Sequence, residues 1–184
     1  MSRVCVFLAD GLEEIEGLTV VDILRRAGVD TQMVSISDSQ MVMGSHQIPI
    51  RADVCLKDAD FSDTELLVLP GGMPGTLHLG ECKELTELLL QFHKDGKKVA
   101  AICAAPSVLG DLGILNGKKA CCYPGFESRL TGAEVSFEKV AVDGNVTTSR
   151  GMGTAIPFAL ALTAQLVSEE KAAELKKGII YGHE

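Results

Sequence analysis

Apolar and polar residues follow one another along the chain in short blocks that predict strands and helices in alternation. Residues 3–9 form a nearly continuous apolar run, as expected for a strand buried on both faces. Residues 13–27 carry apolar side chains at helical spacing, and Gly28 follows as a helix stop. Further strands are predicted at 30–37, 65–69 and 98–102, and further helices at 83–94, 106–115, 154–167 and 169–177.

The remaining segments predict less regular β structure. Residues 41–56 read as irregular β, in which Pro49 argues against a central strand position. Residues 119–123 predict a short strand, and residues 139–148 a hairpin around Asp143-Gly144-Asn145. Alternating strands and helices are typical of βαβ units, so we predict an α/β fold with a mostly parallel sheet and helices on both faces. The length of 184 residues fits one domain spanning residues 1–184.

Composition and charge exclude several classes of protein. Hydrophobic residues make up 46% of the chain, which excludes a disordered protein. The net charge is −8 and no basic run exceeds two residues, so we expect no nucleic-acid partner. No stretch approaches the ~18 apolar residues of a membrane span, and the first apolar run is too short for a signal peptide. We therefore expect a cytoplasmic protein with reduced thiols and no membrane partner.

The six cysteines divide into core residues and one candidate for chemistry. Their spacing with histidine matches no zinc template, so we expect no metal. Cys5, Cys55 and Cys121 lie in apolar runs and are predicted to fill the core, whereas Cys82 and Cys122 remain unassigned.

Cys103 lies where an apolar strand ends and a helix is about to begin. Helix N-terminal amides favour negative charge and lower a thiol pKa, and the small Ala104 and Ala105 leave the sulfur accessible. Pro106 suits the first turn of the helix. This pattern predicts a nucleophile on a strand-to-helix turn. The alternative is a buried structural cysteine.

Two further turns lie at the same predicted edge of the sheet, where ligands of α/β proteins gather. Gly71 and Gly72 follow the central strand, and their amides could polarise a carbonyl oxygen; a plain tight turn is the alternative. Glu16 lies in the first helix, where its carboxyl could reach Cys103. A desolvated carboxyl tends to protonate and could then donate to a thiolate. Neither a phosphate-loop ending nor a dinucleotide fingerprint is present, so we expect no cofactor.

Four motifs resemble the ThiJ/PfpI superfamily, and within it the DJ-one branch, the branch of the Parkinsonism-linked protein. They are DGLEEIE at 10–16, LPGG at 69–72, AICAAP at 101–106 and TSRG at 148–151. The resemblance implies a flavodoxin-like three-layer sandwich and a homodimer. It also implies Cys103 as nucleophile, Glu16 as its protonated carboxyl partner, and an oxyanion site at the amides of Gly72 and Ala104, beside Gly71.

The sequence departs from the family pattern near this expected site. The best-studied branch places a His-Pro pair beside the nucleophile, whereas this chain has Tyr123 before Pro124. Because tyrosine is a poor base near neutral pH, strong general-base catalysis by this residue is not expected. The usual Gly-Pro-Gly-Thr reads Gly-Met-Gly-Thr at 151–154, which alters the pocket wall. His46 lies in the region that reaches the partner subunit's site in the family, and we hypothesise that it lines that site.

The resemblance leaves more than one function open. Some family members convert methylglyoxal or glyoxal to hydroxy acids without glutathione, as glyoxalase III-like lyases, and a deglycase-like hydrolase activity on glycation adducts is also attributed to the family. This leads us to expect a small aldehyde substrate. The alternatives are an oxidative-stress sensor or redox-regulated chaperone acting through oxidation of Cys103, and a ThiJ protein with a thiamine-biosynthesis label and unknown reaction. We do not expect a protease, because no Cys-His arrangement is evident.

Overall fold

The computed structural model describes residues 3–182, so residues 1, 2, 183 and 184 of the predicted domain lie outside the described residues. Helices and strands alternate over most of this length. The strands are β1 (Arg3–Leu8), β2 (Asp30–Ser35), β3 (Met41–Met43), β4 (Pro49–Arg51), β5 (Val54–Cys55), β6 (Thr64–Leu69), β7 (Lys98–Ile102), β8 (Lys119–Ala120), β9 (Glu134–Val135), β10 (Val140–Asp143) and β11 (Val146–Ser149). The helices are α1 (Glu14–Arg26), α2 (Gly75–Glu81), α3 (Lys83–Lys94), α4 (Pro106–Asp111), α5 (Ala155–Leu166) and α6 (Glu169–Gly178).

The central sheet has seven strands in the order β10-β11-β7-β6-β1-β2-β5. Every neighbouring pair is parallel except β10 and β11, which form the predicted antiparallel hairpin. Pro49 begins β4, which pairs only with β3 in a separate two-stranded sheet, away from the central strands. The prediction of an α/β fold with a mostly parallel sheet is confirmed.

Two apolar cores cover the two faces of this sheet. Along β1, Cys5 and Phe7 join the cluster formed with α3 and α4, whereas Val4, Val6 and Leu8 join the cluster formed with α1 and α5. The split follows from the two-residue period of a strand, whose side chains point alternately to opposite faces. Both faces are therefore covered by helices, which gives the predicted three-layer sandwich.

Two element predictions are wrong and one helix is missed, each for a local reason. The helix predicted over 106–115 ends at Asp111, because the chain turns through Gly113, whose φ is +73°. The strand predicted over 119–123 ends at Ala120, because the Cys121 amide donates to Thr148 Oγ1 at 2.9 Å instead of to a neighbouring strand. Helix α2 was not predicted, because Pro74 and two glycines obscure its pattern.

The topology brings four chain turns to one edge of the sheet. Strand β1 pairs with β2 on one side and with β6 on the other, so the strand order reverses its direction at β1. The carboxyl ends of β1, β6, β7 and β11 lie side by side, since all four run parallel. In open α/β sheets a ligand crevice forms at such a point. Within residues 3–182, no helix combines the length and the apolar character needed to cross a bilayer.

Candidate active site

Cys103 follows β7 directly and adopts a backbone conformation that is rare outside glycine. Its φ is +66°, in the left-handed region. Two hydrogen bonds hold it there: its amide donates to the Ser149 carbonyl at 3.0 Å, and its own carbonyl accepts from the Tyr123 amide at 2.8 Å. A strained residue fixed by its surroundings on a strand-to-helix turn is typical of a presented nucleophile.

Gly71 lets Glu16 and Cys103 approach each other. The Gly71 amide donates to Glu16 Oε2 at 2.9 Å. A Cβ atom at position 71 would lie 2.5 Å from the Cys103 Cβ and 2.7 Å from Glu16 Oε2, closer than real Cβ contacts allow. The absent side chain is therefore what permits the hydrogen bond between Glu16 and Cys103.

Two backbone amides converge on the sulfur of Cys103. The amides of Gly72 and Ala104 both donate to the Cys103 thiol and lower its pKa. Gly72 has a φ of +89°, and a Cβ there would lie 2.2 Å from the Glu13 backbone nitrogen. Two converging amides at one point form a site that can stabilise negative charge on sulfur or on an oxygen bound beside it.

Glu16 is a buried carboxyl with a titration near neutral pH. Its exposed fraction is 1%. Burial is the largest influence and raises the pKa of Glu16 to about 7, although hydrogen bonds from Cys103 and Gly71 act in the opposite direction. A carboxyl with this pKa can hold or release a proton at neutral pH.

The expected lowering of the Cys103 pKa is not found when Glu16 is charged. Burial and then the Glu16 carboxylate raise the pKa of the thiol to about 12, and they outweigh the two amides. The two groups are coupled, so the pair loses one proton near neutral pH and a second far above it. Between these steps it carries one negative charge and one proton. The thiolate forms when Glu16 holds that proton.

An open cleft of about 630 Å³ lies over this pair. Residues from all four strand-end turns line it, and sequence reasoning had singled out only some of them. Its walls are Glu13, Glu16, Gly72, Met73, Cys103, Ala104, Tyr123, Pro124, Phe126, Arg150, Gly151, Met152, Gly153 and Thr154. Glu13, Met73, Phe126 and Arg150 had been given no role at the site. Their position directly after strands or glycine turns is the signal that could have found them.

Of the two expected lining residues, the structure brings only Tyr123 to the cleft. Its ring lies beside Gly151, where an added Cβ would be 3.3 Å from Tyr123 Cδ2. His46 is exposed and does not line the cleft within this chain. Its Nδ1 atom lies 2.9 Å from Glu14 Oε2, and its amide donates to Glu14 Oε1 at 2.7 Å. A role for His46 at a cleft of this kind would therefore require a second copy of the chain.

One group of described side chains could offer a metal ion three donor atoms. The ligand atoms of Glu13, Glu14 and His46 lie within 4.8 Å of one another. Burial would raise the pKa of Glu14, but hydrogen bonds from His46 lower it to about 2, so a carboxylate–histidine ion pair accounts for the group.

The other cysteines lie away from this chemistry. Cys5, Cys55 and Cys121 are buried, in agreement with their predicted role in the core, and so is Cys122. Cys82 is partly exposed but does not line the cleft. Cys103 is thus the described thiol that combines access to solvent with converging donors.

Comparison with known proteins gives the same site a family context. The DJ-1/PfpI family model matches residues 2–165. Protein DJ-1 homolog B of Arabidopsis thaliana is 38% identical over 180 residues, which are 97% of this chain and 41% of that relative. The chain therefore spans less than half of that relative's length.

Two further relatives match over nearly their whole length. A Caenorhabditis elegans protein named glutathione-independent glyoxalase DJR-1.2 is 35% identical over 167 residues, 90% of this chain and 88% of that protein. Among solved structures, oxidized Toxoplasma gondii DJ-1 superposes with a TM-score of 0.95 at 33% identity and covers 100% of both chains.

Proposed function

The chain belongs to the DJ-1/PfpI family, and from that premise we propose that it is a cofactor-free enzyme whose Cys103 converts small 2-oxoaldehydes to 2-hydroxy acids. The observation that carries the proposal is the Cys103–Glu16 pair, which shares one proton between a thiol and a buried carboxyl under two converging amides. The C. elegans relative named as a glutathione-independent glyoxalase supports the same reaction class.

The reaction begins when the Cys103 thiolate attacks the aldehyde carbon of methylglyoxal. A carbon–sulfur bond forms, and the amides of Gly72 and Ala104 hold the oxygen that gains negative charge. Glu16 has the proton that this oxygen needs, because its pKa lies near 7. The product of this step is a hemithioacetal.

The second half is an internal oxidation and reduction. Glu16 carries a proton from the former aldehyde carbon to the neighbouring keto carbon, and the hydroxyl proton on the first carbon passes to the oxygen of the second, so the first carbon is oxidised to a thioester and the second is reduced to an alcohol. Water then attacks the thioester, the carbon–sulfur bond breaks, and Cys103 recovers its proton. The net change is one methylglyoxal plus one water to one lactate. A deglycase-like reaction would share the first attack by Cys103.

Proteolysis is not proposed. None of the described residues that line the cleft is a histidine, and the Tyr123 that lines it is a poor base near neutral pH. Glu16 is already engaged with Cys103 and Gly71. The site therefore favours an activated aldehyde over a peptide bond, which needs a stronger acid–base pair.

We also propose a homodimer formed through the outer face of α1. Ile15, Leu18 and Ile48 are exposed there, with exposed fractions of 50%, 37% and 52%, and they border a groove of about 530 Å³. Several exposed apolar side chains that share one groove are costly in water and are typical of an interface. Glu14 lines the same groove and binds His46, so a partner docked there would lie beside His46. This supports the hypothesis that His46 reaches the partner's site.

Oxidation sensing is a second candidate, favoured by the partial exposure of Cys103 next to Glu16. A carboxyl that donates to an oxidised sulfur would stabilise a sulfinate. Mass spectrometry after mild peroxide would support this function if Cys103 alone were oxidised and no turnover were measurable. Similar oxidation of all six thiols would argue against it.

The proposed enzyme is tested by measuring lactate from methylglyoxal with purified protein, Cys103→Ala, and Cys82→Ser as the matched control at the other partly exposed thiol. We expect lactate from the wild type and from Cys82→Ser at equal rates, and at least a hundredfold loss in Cys103→Ala. Equal rates in the wild type and Cys103→Ala would refute the proposal.

A further inference from the structure

We infer that the preferred substrates are 2-oxoaldehydes that carry an aromatic or similarly bulky apolar group on the keto carbon, rather than methylglyoxal itself. This inference rests on the proposed function and specifies its substrate class. Three observations carry it: the size of the cleft, the character of its walls, and the place of those walls relative to Cys103.

The cleft is much larger than a three-carbon substrate. It encloses about 630 Å³. Methylglyoxal has five non-hydrogen atoms, each comparable in size to a water molecule, so it fills roughly 150 Å³. Most of the cleft would then remain occupied by water against apolar walls. Clefts of several hundred Å³ ordinarily hold larger ligands.

The walls next to the reacting groups are apolar side chains that face solvent. Met73, Tyr123 and Met152 have exposed fractions of 45%, 50% and 52%, and all three line the cleft. Exposed apolar groups scattered on a convex surface need no explanation, but three that share one concave site indicate a ligand that covers them. Methionine adapts to irregular shapes, and its sulfur makes favourable contacts with aromatic rings.

These walls lie at the correct place for a substituent on the second carbon of the substrate. Met73 directly follows Gly72, whose amide donates to the Cys103 sulfur. The Tyr123 amide donates to the Cys103 carbonyl. Gly151 packs closely between the Tyr123 ring and Glu16, since a Cβ there would lie 3.3 Å from the ring and 3.9 Å from Glu16 Oε1, so the ring forms the wall next to the carboxyl. An aldehyde bound to Cys103 would thus direct its second substituent toward Met73, Tyr123 and Met152.

The chemistry of the larger substrate is unchanged. Phenylglyoxal has a phenyl ring where methylglyoxal has a methyl group. Cys103 attacks its aldehyde carbon, that carbon is oxidised to the thioester while the keto carbon is reduced, and water releases mandelate. One phenylglyoxal and one water give one mandelate, with no external oxidant or reductant.

The test compares kcat/KM for phenylglyoxal and methylglyoxal in the wild type and in the Met73→Ala/Met152→Ala double variant. Both rates are divided by the rate of hemithioacetal formation with a free thiol, which removes the intrinsic reactivity of each aldehyde. We expect the corrected ratio to favour phenylglyoxal by about tenfold or more in the wild type. The double variant should lose at least fivefold on phenylglyoxal and remain within about twofold on methylglyoxal. Met41→Ala, an exposed methionine outside the cleft, serves as control and should leave the ratio unchanged.

A second readout is product inhibition of methylglyoxal turnover. Mandelate should inhibit the wild type at lower concentration than lactate does, and this difference should shrink in the double variant. The inference fails, while the proposed function stands, if methylglyoxal is turned over but the corrected ratio of phenylglyoxal to methylglyoxal is one or less. It also fails if the double variant leaves that ratio unchanged. No turnover of either aldehyde would overturn the proposed function, and the inference with it.

Discussion

Replacing Glu16 with glutamine should remove the ionisation near neutral pH and leave Cys103 as an isolated, partly buried thiol. In the wild type the pair loses its first proton near pH 7, because burial raises the pKa of Glu16 to about 7. At pH 7.5 about three-quarters of the pairs would then carry one negative charge, which the two groups share as tautomers. The alkylation rate of Cys103 should therefore rise through an inflection near pH 7.

In Glu16→Gln the neighbouring charge is gone, but burial still holds the pKa of the thiol above its ordinary value of 9. At pH 7.5 the thiolate would amount to about 3% or less. Between pH 7.5 and 8.5 the wild-type alkylation rate should rise less than about twofold, because the two tautomers of the singly charged pair keep a fixed ratio, whereas the rate in Glu16→Gln should rise about tenfold. Glutamine can keep the hydrogen bond from the Gly71 amide through its side-chain oxygen, so the fold should persist.

The assay follows iodoacetamide labelling of the peptide that contains Cys103 from pH 5 to 10. Glu13→Gln is the matched control, because Glu13 also raises the pKa of Glu16 but does not bind Cys103. We expect that control to keep the inflection and to move it slightly to lower pH. A wild-type profile with one inflection at about 8.5 or above, or an inflection near pH 7 that survives in Glu16→Gln, would refute the shared-proton account.

Three further predictions follow from other parts of the structure. Gly71→Ala should reduce alkylation of Cys103 and lactate formation by at least tenfold, because the new Cβ would lie 2.5 Å from the Cys103 Cβ, whereas Gly178→Ala, with open space around it, should change neither. Leu18→Asp should shift the protein to a monomer in sedimentation velocity, and a dimer that persists would exclude the α1 face as the interface. His46→Gln should lower Tm by a few degrees near pH 6. Glu14 raises the pKa of His46, so the stabilisation of the fold by protonated His46 is present below about pH 6.5 and is lost as the pH rises through the raised pKa. The stabilisation of the fold by ionised Glu14 is lost only as the pH falls toward 2. Equal Tm differences at pH 6 and pH 9 would contradict this pairing.

The sequence was informative where a local pattern determines the structure. Apolar runs placed β1 and β7 within a residue of their observed ends, and the small residues after β7 located the turn that presents Cys103. Helix α2 could not be predicted in the same way, because Pro74 and Gly75 at its start resemble a loop. The pKa of Cys103 depends on its burial and on Glu16, which lies 87 positions away, so the nearby helix start predicted the wrong direction.

Other features of the site depend on contacts between distant segments. Met73 and Met152 follow different strands of the central sheet, whose parallel order brings them to one cleft, and the hydrogen bond from the Tyr123 amide to the Cys103 carbonyl places Tyr123 beside them. The left-handed backbone at Cys103 is held by Ser149 and Tyr123, and no pattern around position 103 indicates it. The proposed role of His46 requires a second copy of the chain, and within this chain His46 contacts Glu14 instead.

The central claim is that turnover passes through a covalent bond to Cys103. Rapid quenching of wild-type protein with methylglyoxal, followed by hydroxylamine and peptide mass spectrometry, tests it most directly. We expect a lactoyl thioester on the peptide that contains Cys103, cleaved by hydroxylamine, which forms and decays at the rate of lactate production and is absent in Cys103→Ala. Lactate production without such an adduct would contradict the account, and so would an adduct on another cysteine that forms and decays at the rate of lactate production.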